Sequence, residues 1–154
     1  MKPDQIRHFR EVLRQLQRSL GWLSKTDAAC CGITVAQCHA LLAIGKAELI
    51  TMIDLANLLG LDTSTVSRTV DAMVRNQLVK RKAKSSDRRY TTLSLTDKGL
   101  QTYNDINCTF DLYYNNVFAT IPTEKHEQII ESLQLLSKAL AKQDQSVCCK
   151  GELS

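Results

Sequence analysis

Between Gly60 and Thr96 the apolar spacing changes period, and that change dictates which elements can form there. The segment reads GLDTSTVSRTVDAMVRNQLVKRKAKSSDRRYTTLSLT. Val66, Val70, Met73 and Val74 recur at i, i+4, i+7 and i+8, which puts them on one buried helical face. The opposite face carries Thr63, Ser64, Ser67, Arg68 and Asp71, with Thr65 on the flank. Gly60 tolerates the positive φ that a turn after a preceding helix demands, and Asp62 is a favourable N-cap. From Leu78 to Lys84 and from Tyr90 to Leu95 the pattern alternates instead, with Leu78, Leu93 and Leu95 inward, as in half-buried strands. Ser85-Ser86-Asp87 between them is turn chemistry. A tight turn, a helix with a hydroxyl-rich front and two strands joined by a basic tip are the parts of a helix-turn-helix with an attached wing.

The charge of this segment is local. From Asp62 to Tyr90 there are eight Lys or Arg against three Asp, a net of +5, where the whole chain carries only +4. Such a concentration suits a surface that meets phosphate. From Asp97 to the end, five Lys face eight acids, a net of −3. That part would repel nucleic acid, so its work lies elsewhere.

The rest of the chain is predicted to be helical. A first helix over about Asp4–Ser24 carries Ile6, Phe9, Leu13, Leu16, Leu20 and Leu23 at steps of three and four, a narrow a/d seam. Thr34 caps a second helix through about Lys46, Leu49–Thr51 adds a short strand, and Met52–Leu59 forms a third helix. Thr96 starts a long fifth helix to about Ala119, with Leu100, Tyr103, Ile106, Phe110, Tyr113 and Val117 in its stripe. Pro122 ends that path, and Thr123 is expected to cap a sixth helix to about Gln143, whose seam is Ile129, Leu133, Leu136 and Leu140. Stripes at both chain ends are most easily buried against a second copy, in a two-fold dimer. At 154 residues the chain is expected to be a single domain, with a DNA-binding lobe at 34–96 and a helical dimerisation region made of 4–24 with 97–143. No apolar run approaches a membrane span, and the charged N-terminus lacks a secretory pattern, so a cytoplasmic location is expected.

On the segment Leu61–Asp71 (LDTSTVSRTVD) and the segment Asp87–Thr96 (DRRYTTLSLT), with its Asp-x-Arg and Leu-x-Leu-Thr, the chain resembles MarR-family winged-helix transcriptional regulators. The resemblance covers nearly the whole length. It implies a mainly α fold with a small β wing and a homodimeric repressor on a pseudo-palindromic operator in double-stranded DNA, released by a small signal. The recognition helix would enter the major groove, with Thr63, Ser64, Thr65, Ser67 and Arg68 nearest bases and phosphates. Hydroxyls and helix N-terminal amides would meet phosphate. Arg88 or Arg89 would lie along the minor groove, with Asp87 orienting a neighbouring arginine. Lys80, Lys82 and Lys84 read either as phosphate contacts or as solvated surface.

The cysteines offer a candidate sensor. In a reducing compartment Cys30, Cys31, Cys38, Cys108, Cys148 and Cys149 are thiols rather than disulfides. Adjacent cysteines, with α-carbons about 3.8 Å apart, do not readily pair with one another. Cys30-Cys31, in the loop after the first helix, and Cys148-Cys149, beyond the sixth, would approach if the first, fifth and sixth helices pack together. Soft thiolates so gathered suit zinc, copper(I) or a trivalent metalloid. No cofactor is required, and a thiolate-bound ion is the one envisaged. Cys38 and Cys108 fall on largely apolar faces and read as buried packing residues. A peroxide-sensing thiol is the competing role, and an organic phenolic ligand in the dimer crevice the alternative signal. His8, His39 and His126 are scattered and make no ligand set.

An enzyme is not indicated. The phosphate-binding, zincin and nucleophile-elbow motifs are all missing from the sequence. Cys38 and His39 are neighbours on one helix and point about 100° apart. A thiol oxidoreductase using Cys148-Cys149 would leave the basic wing without purpose. A protein-binding winged helix would leave the local +5 unexplained.

Overall fold

The computed structural model describes residues 2–30, 32–83 and 91–142, with only the backbone described for 21–30 and 83. The elements in chain order are α1 (Pro3–Cys30), α2 (Val35–Ala47), β1 (Ile50–Thr51), α3 (Met52–Leu59), α4 (Thr63–Arg75), β2 (Val79–Ala83), β3 (Thr91–Leu95), α5 (Asp97–Ala119), a 3₁₀ turn (Thr123–Lys125) and α6 (His126–Ala141). The fold is mainly helical with one small antiparallel sheet. Two compact units divide it, residues 1–110 and 111–154.

In the first unit, side chains from the sequence itself start each helix. Thr34 and Gln37 form a reciprocal capping box, the Thr34 hydroxyl accepting from the Gln37 amide at 3.2 Å and the Gln37 side chain accepting from the Thr34 amide at 2.9 Å. Thr51 caps α3 by accepting from the Asp54 amide at 3.1 Å. Gly60, at φ +64°, ends α3 in the left-handed conformation that lets the chain turn into α4. The sheet order is β1-β3-β2, with Ile50 opposite Leu93 and Arg81 also opposite Leu93 on its other side.

The core sits where α2, α3 and α4 close over the inner face of this sheet. Leu41, Ile44, Leu55, Val66, Val70, Met73, Leu93 and Ile106 are its largest fully buried side chains. Each contributes roughly 1.5–3 kcal/mol by leaving water. Leu78 is buried, but it precedes β2, whose own alternation turns Val79 and Arg81 inward and Lys80 and Lys82 outward, the phase opposite to the one expected from Leu78.

The start of α5 is bolted to the turn that follows α4. Thr96 donates its amide to the Leu78 carbonyl at 3.1 Å and its hydroxyl to the Gln77 carbonyl at 2.5 Å, while accepting from the Gly99 amide at 3.0 Å. The Lys98 ammonium donates to the Asn76 carbonyl at 3.1 Å. Gly99 is required here: a Cβ at that position would run into the Leu78 carbonyl oxygen.

In the second unit, the end of α5 meets the beginning of α6 through His126. Its Nε2 lies 3.0 Å from both the Phe118 and the Ile121 carbonyls, satisfying acceptors left open where α5 stops. The His126 ring also packs edge-on against Phe118, with centroids 4.9 Å apart.

Several expectations need correction. The first helix does not stop near Ser24 but continues to Cys30, because Lys25-Thr26-Asp27-Ala28-Ala29 contains no breaker and ends in two strong helix formers. Cys30 is thus the last helical residue rather than part of a loop. Thr123 does not cap the sixth helix; it opens the 3₁₀ turn, and α6 begins at His126 with no side-chain cap. Cys108, expected inside, is exposed, whereas Cys38 is buried.

The terminal stripes are helical but uncovered within one chain. Ile6, Phe9, Val12, Leu16 and Leu20 of α1 are exposed, as are Leu112, Tyr113, Tyr114 and Val117 of α5. On α6 the same holds for Ile130, Leu133, Leu135 and Leu140, and no residue of that helix is buried.

Candidate nucleic-acid interface

The recognition surface is built from α4 outward. With Val66, Val70 and Met73 turned into the core, the helix must present Ser64, Arg68, Asp71 and Arg75 on its far side, at steps of four, three and four. Ser64, Arg68 and Arg75 are exposed, with Thr63 and Thr65 exposed beside them, while Ser67 and Asp71 are half-buried. Among the described residues neither Arg68 nor Arg75 has an ion-pair partner. Their guanidinium groups face solvent on one line.

The head of α4 is held by Asp62. Its carboxylate accepts the Thr65 amide at 2.9 Å, the Thr65 hydroxyl at 2.6 Å and the Ser64 hydroxyl at 2.5 Å. Those bonds, the Ser64 hydroxyl foremost and then the Thr65 groups, hold the Asp62 carboxyl well below the usual carboxylate range. The geometry changes the expectation that these hydroxyls and amides are free for phosphate. The Ser64 and Thr65 protons and the Thr65 amide are already committed to a carboxylate.

The wing strand β2 divides its cations between two faces. Lys80 and Lys82 pair with Ser94 and Thr92, so they lie on the outer face of the sheet, exposed. Arg81 has the opposite parity and shares the inner face with Leu93. It extends toward α4, where its guanidinium meets the Asp71 carboxylate at 2.8 Å. The wing residues Lys84, Asp87, Arg88 and Arg89 lie outside the described residues.

Sequence reasoning passed over two residues of this surface. Arg75 completes the exposed arginine line, and the step of seven from Arg68 was the signal for it. Arg81 had no such signal, because alternation counted from Leu78 placed it outward, and only the register of β2 and the position of α4 show what it meets.

The expected thiol cluster cannot be placed. Cys31, Cys148 and Cys149 lie outside the described residues, as does the Cys30 side chain. Among the described residues no group of three or more His, Cys, Asp or Glu could hold a metal ion. A pocket of about 240 Å³ directly follows the Cys30-Cys31 pair, lined by Gly32, Ile33, Asn76, Leu78, Lys98 and Thr102. A second, of about 280 Å³, lies among Gly45, Glu48, Ser94, Leu95, Thr96 and Leu100. No described helix is long and apolar enough to cross a membrane.

Residues 33–91 match the model of the MarR family. The chain is 25% identical over 123 residues to the uncharacterized HTH-type transcriptional regulator YdgJ of Bacillus subtilis (strain 168), covering 80% of this chain and 75% of that one. Its fold is similar to that of Staphylococcus aureus MarR in complex with salicylate and kanamycin, with a TM-score of 0.83 at 20% identity over 92% of this chain and 96% of that one. It is also similar to S. aureus MepR in a DNA complex, with a TM-score of 0.71 at 21% identity over 86% of this chain and 97% of that one.

Proposed function

We propose that the chain, whose residues 33–91 match the MarR family model and whose fold is similar to that of MarR structures, is a winged-helix transcriptional regulator of that family and acts as a homodimeric repressor of transcription in the cytoplasm. Two copies present their α4 helices to the half-sites of a pseudo-palindromic operator, and a small signal releases them. The observation that carries this reading is the line of Ser64, Arg68 and Arg75, exposed on the one face of α4 that its core contacts leave free. Around it Thr63, Thr65, Ser67, Lys80, Lys82, Lys84, Arg88 and Arg89 complete the contact set, with Asp87 orienting an arginine. The dimer is supported by the exposed stripes of α1, α5 and α6, since apolar surface on that scale marks an interaction face. In domain terms, residues 34–96 read DNA while 4–24 and 97–143 join the copies.

For the signal, the reading is a thiophilic metal, metalloid or oxidant taken up by Cys30, Cys31, Cys148 and Cys149. The reading is supported by the pocket at Gly32 and Ile33, next in sequence to the Cys30-Cys31 pair, which also touches Asn76 and Leu78 just beyond the recognition helix. A second reading is an organic acid of phenolic type. It is favoured by the similarity to a MarR protein solved with salicylate and by the pocket against Leu95 and Leu100.

The test is duplex binding by fluorescence anisotropy, with particle mass measured in parallel by light scattering. Arsenite, zinc, cadmium, copper(I), hydroperoxide and salicylate are each added to wild type and to Cys30→Ser/Cys31→Ser. A dimer that binds salt-dependently and is released by a thiol reagent in wild type alone supports the first reading. Release by salicylate in both proteins selects the second. A monomer without affinity for any duplex overturns the proposal.

A further inference from the structure

The head of α4 differs chemically from a bare helix N-terminus. A serine or threonine hydroxyl has one hydrogen and two lone pairs. At Ser64 and Thr65 that hydrogen goes to Asp62. What both hydroxyls can offer outward is therefore lone pairs only, beside a carboxylate that is itself purely an acceptor. Five consecutive residues, 61 to 65, are exposed here, so this acceptor cluster faces outward on the same surface as Arg68. Leu58 and Leu61 border it, and both are exposed, with 65% and 44% of their surface open and no part in the core.

The major-groove edges of the bases discriminate such a surface. Guanine shows only acceptors, N7 and O6, whereas cytosine shows an N4 amino donor, adenine an N6 amino donor, and thymine a methyl group. Acceptors set against guanine would leave both partners desolvated and unpaired, the arrangement that gives the sharpest rejection. We infer that Asp62, with the hydroxyls it holds, is a specificity determinant that selects cytosine or adenine and excludes guanine beneath the head of α4. Leu58 and Leu61 supply an apolar border suited to thymine methyls. The inference rests on the operator reading above. It assigns opposite roles along one helix, with guanine accepted only further along, where Arg68 offers donors.

The experiment is selection of bound sequences from a randomised duplex library with the full-length protein, in wild type and Asp62→Asn. Asparagine keeps the N-cap but can turn amide hydrogens outward, so folding is retained, as a melting curve checks. In wild type, at least one position per half-site should be depleted of guanine on one strand. In Asp62→Asn that depletion should be relieved by about tenfold or more, the scale of one base contact, with preferences elsewhere unchanged. Ser64→Ala/Thr65→Ala, which retains the carboxylate, should keep guanine excluded. Sequence preferences identical in wild type and Asp62→Asn overturn the inference while leaving the operator reading intact. A wild type that enriches no sequence at all overturns the operator reading itself.

Discussion

The Arg81 guanidinium on β2 lies 2.8 Å from the Asp71 carboxylate on α4, which joins the wing strand to the recognition helix directly. Asp71 stands between Arg68 and Arg75 on the outward line of α4, so the pair also neutralises the one acid among those arginines. Both side chains are partly open, at 33% and 43%. A pair exposed to that degree contributes little to stability, at most about 1 kcal/mol, and its value lies in position. Arg81→Ala or Asp71→Ala should therefore leave the melting temperature nearly unchanged while weakening operator binding. In a double-mutant cycle the two losses should be non-additive; additive losses would mean that the pair is incidental.

Gly99→Ala should destabilise the fold by roughly 1–3 kcal/mol, the usual scale of overpacking. The added carbon meets the Leu78 backbone oxygen, which cannot turn aside as a side chain can. Gly45→Ala meets only the ring of Tyr103 and should cost less. Denaturant unfolding of the two variants ranks them.

The arginines and lysines of the DNA-binding lobe should separate by role. Arg68→Ala and Arg89→Ala are expected to weaken operator binding roughly tenfold or more, the scale of one good groove contact, with the dimer still folded. Lys80→Ala and Lys82→Ala should weaken operator and unrelated duplex alike and lower the salt dependence by about one counterion each. An unchanged salt slope would return those lysines to plain solvated surface.

The apolar stripes predict where association fails. Leu16→Glu on α1 or Leu133→Glu on α6 puts a charge into a face that is open in the single chain, at 39% and 48% exposure. The chain should fold yet remain monomeric and lose operator affinity, since each half-site alone binds weakly. Sedimentation and anisotropy measure the two effects together.

Acid should act on the α4 cap in a fixed direction. The Asp62 carboxyl is depressed in the folded state, so its contribution is fully present above the unfolded carboxylate value of about 3.9. It is lost only as the pH falls below that toward the folded value. The stability gap between wild type and Asp62→Asn should thus be constant near neutrality and close on strong acidification. A gap that closes already above pH 5 would contradict the assigned hydrogen bonds.

Much of this architecture could be read one residue at a time. Thr34 and Asp62 are caps by their own chemistry, Gly60 is a turn by its lack of a Cβ, and the valines of α4 declare their face by spacing. Local signals failed where competition was close. Thr123 had the right chemistry for a cap, but Pro122 before it and the contacts of His126 with the Phe118 and Ile121 carbonyls start α6 three residues later. Cys108 was expected inside, but it sits two residues from the buried Ile106, about 200° round α5 and so opposite the Leu100–Val117 stripe, which leaves it exposed.

The sequence by itself determined the order of elements, the buried face of α4 and the place of the positive charge, since each follows from period, caps and composition within a few residues. Only the tertiary structure decided how the polar groups are spent. Arg81 goes to Asp71, and the start of α5 is locked onto Leu78 through Thr96 and Gly99. Those assignments depend on which distant segment is brought alongside. A hydrogen bond or ion pair is made at about 3 Å, a distance that spacing along the chain does not encode for residues ten to twenty positions apart.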